Sequence, residues 1–294
     1  MTGPERGCLL LCADLADGEK PLTPAQFRTL RQAVRQAEPC RSDPDRALNE
    51  ADLRRIGLSR AASERILALL GREAALDAYL ETARLFEINP LTLCSAAYPS
   101  RLTQRLGNDA PAVLFWRGNL SLLTSPAVSL TGSRNLNAAS ARFAAQVGVL
   151  AAREGFVLVS GNARGADRCA MDACLDAGGS VIAFVPGELE NCRPQSEREL
   201  YLCENGWHLP FSTWGALSRN RLIYALACHA LIACCGTHGG TFSGASEALR
   251  RGNGPISVRD DGGSGSRALI ALGARPVSAL ETLMPPPEEQ LPLC

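Results

Sequence analysis

From residue 127 onward, short runs rich in apolar and β-branched residues alternate with stretches whose apolar positions recur every three or four residues. Val128 to Thr131, Phe156 to Ser160, Val181 to Val185, Leu231 to Cys235 and Pro255 to Val258 read as strands buried on both faces of a parallel sheet. Between them, Ala138 to Glu154 gathers Phe143, Val147, Leu150 and Ala151 on one helical face, with Gly155 where a left-handed C-terminal residue is favoured. Ala166 to Ala177 forms the next helix and stops at Gly178-Gly179. Strand and helix in strict alternation imply right-handed crossovers and therefore a Rossmann-like, doubly wound, mostly parallel α/β sheet.

The pattern before it is different. Thr23 to Ala37, Leu48 to Ile56, Ser59 to Leu70 and Arg72 to Phe86 read as helices joined by polar turns, and Ile66, Leu67 and Leu70 repeat at helical spacing behind a Ser59 cap. The expected organisation is a small helical N-terminal domain over 1–97 and a Rossmann-like domain with a short tail over 98–294. Arg55 to Ala61 resembles a helix-hairpin-helix turn without its second glycine, which leaves a DNA-phosphate contact and a plain packing turn both open.

Composition narrows the function classes. The chain has 294 residues, 46% of them hydrophobic, enough for a substantial core. Formal net charge is zero, so the protein is no polycation and any anion site must be local. Lys20 is the only lysine; the arginine bias suits bidentate phosphate contacts and equally fits a GC-rich genome. The apolar stretch Leu9 to Ala13 is too short to span a bilayer and lies behind a poor signal-peptide flank, which places the chain in the cytoplasm with no membrane association. Twelve cysteines fall mainly in apolar segments and are expected to be reduced. No C-x-x-C occurs, and the nearest ligand set, Cys228, His229, Cys234, Cys235 and His238, would be split between the faces of a strand, so neither a metal site nor a cofactor is expected.

In a doubly wound sheet ligands collect beyond the carboxyl ends of the strands, where helix N-termini present unpaired amides. After the first predicted strand comes Gly132-Ser133-Arg134-Asn135, and after the second Ser160-Gly161-Asn162-Ala163-Arg164-Gly165-Ala166-Asp167. After the fourth comes Gly236 to Ala245, with Gly240, Thr241, Ser243 and Gly244 at a helix entry. Ser218-Arg219-Asn220-Arg221 opens the helix before that strand and adds two guanidiniums. Each loop could be glycine-rich for conformation alone; three on one edge point to an oxyanion cradle. No G-x-G-x-x-G follows the first strand and no G-K-[ST] exists, which excludes the dinucleotide fingerprint and the P-loop.

These residues resemble the DprA/Smf family (DNA-processing protein A-like), part of a Rossmann-like group that also contains LOG-type phosphoribohydrolases. The likeness runs from Tyr98-Pro99 and Pro111 to Gly118 through G-S-R at 132–134, S-G-x-A-R-G-x-D at 160–167, R-N-R at 219–221 and S-G-A at 243–245 to Leu269 to Ala274. The resemblance implies a non-enzymatic homodimer that binds single-stranded DNA and helps load a RecA-type recombinase in DNA uptake, transformation and recombination. It puts Arg134 foremost in the DNA pocket, then Gly132, Ser133, Arg164 and the Ser243-Gly244 turn, with Arg219 supporting either the pocket or the fold.

The chain departs from the family pattern at Met171, where a histidine is usual, near Cys235, where an acid is expected, at Asn191 to Pro194, and at Arg267. No winged-helix domain is expected before the Pro285-Pro286-Pro287 tail. Two other readings stay open. In LOG-type enzymes a glycine-rich loop presents a glutamate for N-glycosidic hydrolysis, but Gly244 stands at that place here and Glu247 comes later. A nucleotide-signal sensor would use the same edge. For base stacking, Phe184, Trp207, Phe211, Trp214 and Phe242 are the aromatic candidates, Phe184 being better suited to the core and Trp214 and Phe242 to loops. His208, His229 and His238 read as loop or helix residues.

Overall fold

A computed structural model describes residues 1–37, 48–204 and 206–283, so the triproline tail lies outside the described residues. The chain forms two compact units. The first comprises Met1–Arg117, Gly187–Asn191 and Cys203–Pro210, and the second Gly118–Pro186, Cys192–Leu202 and Phe211–Cys294.

The first unit contains α1 (Gly3–Cys12), α2 (Pro24–Ala37), α3 (Glu50–Arg55), α4 (Arg60–Leu70), α5 (Glu73–Leu85), β1 (Asn89–Thr92), α6 (Ser100–Leu106) and β2 (Val113–Gly118), the last strand ending at its boundary. Helix α1, which the pattern did not announce, starts at a capping box: Glu5 N donates to Thr2 Oγ1 and Thr2 N donates to Glu5 Oε2. Ser59 caps α4 as expected, accepting from Ala62 N at 3.3 Å. Leu9, Leu53, Leu69, Leu76 and Ala83 are fully buried. Arg72 stitches the bundle together, donating to Asp17 Oδ1 at 3.1 Å and to the carbonyls of Ala13 and Leu10 at the end of α1. β1 and β2 pair antiparallel, Leu91 opposite Leu114.

The second unit is the doubly wound sheet. Its strands are β3 (Ala127–Thr131), β4 (Val157–Ser160), β5 (Ser180–Phe184), β6 (Glu199–Cys203), β7 (His229–Ile232), β8 (Ile256–Arg259) and β9 (Arg275–Val277). They lie in the order β6-β5-β4-β3-β7-β8-β9 with every neighbouring pair parallel. Between them run α7 (Ala138–Arg153), α8 (Ala166–Asp176), α9 (Thr213–Leu226), α10 (Gly240–Arg250) and α11 (Ser264–Ala271). α7 packs on α8 and α9 on α10. At Gly148 the first pair approaches so closely that a Cβ would sit 2.2 Å from Ala170 O. Val128, Leu130, Leu158, Ile182, Phe184 and Leu231 are fully buried along the strands.

Several elements differ from the pattern reading. β7 starts two residues and ends three residues earlier than expected, because buried Ala233 and half-buried Cys234 and Cys235 continue the apolar run after the ladder ends with Ala233 N on Thr131 O and Ser133 N on Cys234 O. His229 is accordingly a strand residue, with Nδ1 2.8 Å from Leu283 O and Nε2 2.9 Å from Ser257 Oγ. Trp214 and Phe242 belong to α9 and α10 rather than to loops, and Phe242 packs on the core of the β7-β8 side. Trp207 is buried in the first unit among Tyr79, Phe86 and His208. No helix among the described residues is long and apolar enough to cross a membrane, and the described cysteines are free thiols.

Candidate functional site

Counting outward from β3, the chain proceeds through β4, β5 and β6 on one side and β7, β8 and β9 on the other. The crevice beyond β3 and β7 is therefore the switch point, where the connecting segments diverge and leave a cleft. A cavity of ≈ 340 Å³ opens there, its lining including Gly132, Arg134, Asp167, Arg219, Asn220 and Gly240.

Its walls follow from close backbone packing. Gly132 lies where a Cβ would come within 2.6 Å of Ala166 Cβ, and its carbonyl accepts Thr241 Oγ1 at 3.0 Å, joining the β3 turn to the start of α10. Gly165, at φ +94°, brings the second loop against the first: its Cβ would meet Ser133 O at 2.4 Å and Arg134 Cα at 2.6 Å. Gly165→Ala is expected to destabilise the second unit by about 1–3 kcal/mol, since it demands a left-handed backbone and overfills a tight contact. A urea titration checks it, and an unchanged midpoint would contradict this packing. On the third side, Gly239 caps α10 at φ +96°, and Gly239, Gly240 and Thr241 line the cavity, so first-turn amides without intrahelical partners stand at its wall.

The charged residues divide into two sets. Arg134 is exposed on the rim, its guanidinium carbon 5.8 Å from the centre of the Phe211 ring, and it has no carboxylate partner among the described residues. Arg164 is also exposed and donates to Asn135 Oδ1 at 3.1 Å. Arg219, by contrast, is 5% exposed; it donates to Phe184 O at 2.7 Å and fills the space that a Cβ on Gly161 would take, 1.7 Å from Nη1. Asp167, 6% exposed, accepts from Gly161 N at 3.1 Å. Burial pushes its carboxyl up to about 6, while Arg219 and the amides of Ala163, Gly161 and Gly132 pull the other way.

The structure thus brings Gly132, Ser133, Arg134, Arg219, Gly240 and Thr241 together around one cleft, with Gly161 and Gly165 directly behind. Arg221 does not line it; it donates to Ser218 O of its own helix. Gly244 faces α9, where a Cβ would meet Tyr224 at 3.0 Å and Asn220 at 3.2 Å, and Ser243 is exposed on α10 outside the lining. Among the departures, Cys235 lines the cleft and burial pushes its thiol up to about 11, whereas Met171 is core. Sequence reasoning quoted Asp167 and Asn220 within motifs but gave neither a place in the site; Asn220 Nδ2 donates to Gly240 O at 3.1 Å. The signal for Asp167 was present: it is the only carboxylate in the second loop, two residues beyond a glycine and in the first turn of α8.

Fold and cleft together define a Rossmann-like protein whose switch point is built of glycine turns, a helix entry and an exposed guanidinium. Residues 89–285 match the family of the DNA recombination-mediator protein A, and the chain belongs to that family. It is 30% identical over 184 residues to the DNA processing protein DprA of Streptococcus pneumoniae, a match covering 58% of this chain and 65%, just under two thirds, of that protein. The solved structure of the S. pneumoniae protein superposes with a TM-score of 0.66 at 25% identity, covering 88% of this chain and 95% of that one. The DNA processing protein A of Helicobacter pylori, whose structure is described for its single-stranded DNA binding mode, superposes with a TM-score of 0.56 at 24% identity over 66% of this chain and 92% of that one, a likeness of fold.

Proposed function

We propose that this chain binds single-stranded DNA in the switch-point cleft and hands it to a RecA-type recombinase during DNA uptake, transformation and recombination, acting as a cytoplasmic homodimer without chemistry of its own. The observation that carries this reading is Arg134: exposed, unopposed by any described carboxylate, 5.8 Å over the Phe211 ring and flanked by the α10 entry. A phosphodiester there would meet a planar fork and backbone amides together. Phe211 and Trp214, the latter 72% exposed on the first turn of α9, offer faces on which bases stack without sequence preference. Family membership and the binding mode described for the H. pylori relative support the same ligand.

The hydrolase reading has less to draw on. Glu247 lies two turns into α10 and is paired with Arg250 and Arg251 at 2.6 Å each, and Gly244 offers no acid where such a loop would present one.

Fluorescence anisotropy with labelled oligo-dT tests the proposal. Binding is expected to weaken linearly on a log–log salt plot, as counterion release requires. AMP is expected neither to displace the oligonucleotide at equimolar concentration nor to be hydrolysed. Nucleotide hydrolysis with no oligonucleotide binding would reject the proposal.

A further inference from the structure

We infer that the arginine face of α2 is a second phosphate-binding surface for single-stranded DNA, carried by the first unit. The inference rests on the DNA-binding reading above and adds a site to it. Helix α2, PAQFRTLRQAVRQA, places Arg28, Arg31 and Arg35 at helical spacing and contains no acidic residue. Arg35 is exposed and Arg28 and Arg31 are half-buried, and the other exposed positions, Ala25, Gln26, Thr29, Gln32, Gln36 and Ala37, are uncharged. Elsewhere in the first unit several surface arginines are matched with carboxylates, Arg6 with Glu73 and Asp77, Arg54 with Glu50, Arg60 with Glu64, while exposed Arg65 donates to the carbonyls of Lys20 and Pro21. Arg31 and Arg35 pair with no described carboxylate.

Like charges gathered on one face raise the energy of the free protein, and an anion placed between them recovers it. Arg28 donates to Ala110 O at 3.2 Å and keeps a buried Nη2 without a described partner; burial and Arg31 lower its pKa, while Tyr98 and Asp109 pull the other way. Arg31 and Arg35 are one helical turn apart, about 6 Å of rise, which long side chains can adjust to successive phosphates. They also line a cavity of ≈ 410 Å³ with apolar walls from Leu11, Leu30 and Val34, closed in part by the Arg6–Glu73 ion pair, where base faces find non-polar surface beside the charges. In a chain of zero net charge, such a local concentration of one sign selects a polyanion rather than a general acidic surface.

The test is anisotropy with labelled oligo-dT on the full chain, comparing the unaltered protein, Arg31→Glu/Arg35→Glu and the milder Arg31→Gln/Arg35→Gln. The charge reversal is expected to weaken binding roughly tenfold near 0.1 M salt and to lower the log–log salt slope by about 1.4, two single-strand phosphate contacts. The glutamine pair should change both in the same direction by less. Phenylglyoxal modification read by mass spectrometry should show Arg31 and Arg35 protected by the oligonucleotide. Normal binding, an unchanged slope and no protection would overturn the second contact while leaving the cleft intact. No binding by the unaltered chain would overturn the parent reading and this one with it. Circular dichroism melts keep a folding defect from passing as a binding defect.

Discussion

Arg219→Ala is expected to cost the second unit about 3–5 kcal/mol, because it strips the counter-charge from a carboxylate that is almost wholly buried. Asp167 and Arg219 are 6% and 5% exposed, and the guanidinium also fills the volume beside Gly161 and holds Phe184 O at the end of β5. Removing it leaves a cavity, an unsatisfied carbonyl and a stranded carboxyl at once. The pH dependence identifies the electrostatic part. In the native chain the Asp167 carboxyl is raised to about 6 from its ordinary 3.8, so the stability gained by protonating it is complete below about pH 3.8 and is lost as pH rises through 6. Without Arg219 the carboxyl rises further, since the guanidinium is the largest influence holding it down. The destabilisation measured by urea titration should therefore be smaller at pH 5, where Asp167 takes up a proton, than at pH 8. A deficit equal at the two pH values would mean that Arg219 contributes by packing alone. Asp167→Asn should flatten the same profile between pH 4 and 7.

The fate of this arginine shows what the sequence carries and what it withholds. Regular elements were legible where one physical signal dominated: α4 from its Ser59 cap, α7 from its apolar face and Gly155 at φ +74°, and β3, β4, β5 and β8 from short apolar runs. β6 was hidden because it opens with Glu199, whose carboxylate turns inward to accept Gln195 N and the Tyr201 hydroxyl and so looks, in sequence, like a loop charge. β9 is three residues long with Pro276 at its centre, too short for any period to register. α1 begins with Gly3-Pro4 and interrupts itself at Gly7, so propensity argues against a helix that its capping box and burial sustain. The loops around the cleft were legible as glycine turns after strands, because switch-point logic needs only strand order. The division of labour among arginines was not. Arg134, Arg164, Arg219 and Arg221 look alike as letters, and only tertiary packing assigns one to the core, one to its own helix, one to the rim of the cleft and one, Arg164, to the exposed surface beside Asn135.

Arg134→Ala should produce the opposite phenotype to Arg219→Ala: a stable protein that has lost most of its affinity for single-stranded DNA. The side chain is exposed and forms no ion pair with a described residue, so its removal belongs among surface substitutions, within about 0.5 kcal/mol in stability. Its place on the rim of the cleft, over Phe211, is what a phosphate would use. A charge-assisted contact is worth about 1.5–3 kcal/mol, so binding should fall between roughly tenfold and a hundredfold, and the salt slope should drop by about 0.7 for the single lost phosphate. Arg134→Lys separates charge from shape: an ammonium keeps the slope but lacks the planar fork that lies over Phe211 and can span two phosphate oxygens, so affinity should recover only in part. Phe211→Ala should resemble the lysine variant, weaker in binding with the native slope, because it removes the ring that orients the guanidinium without removing a charge. Were Arg134→Ala to bind oligo-dT as the unaltered chain does, with the same salt slope, the cleft would have to be abandoned as the DNA site. Were it instead to unfold, the distinction between rim and core arginines would fail, and with it the reason for placing a phosphate at this residue rather than at its buried neighbour.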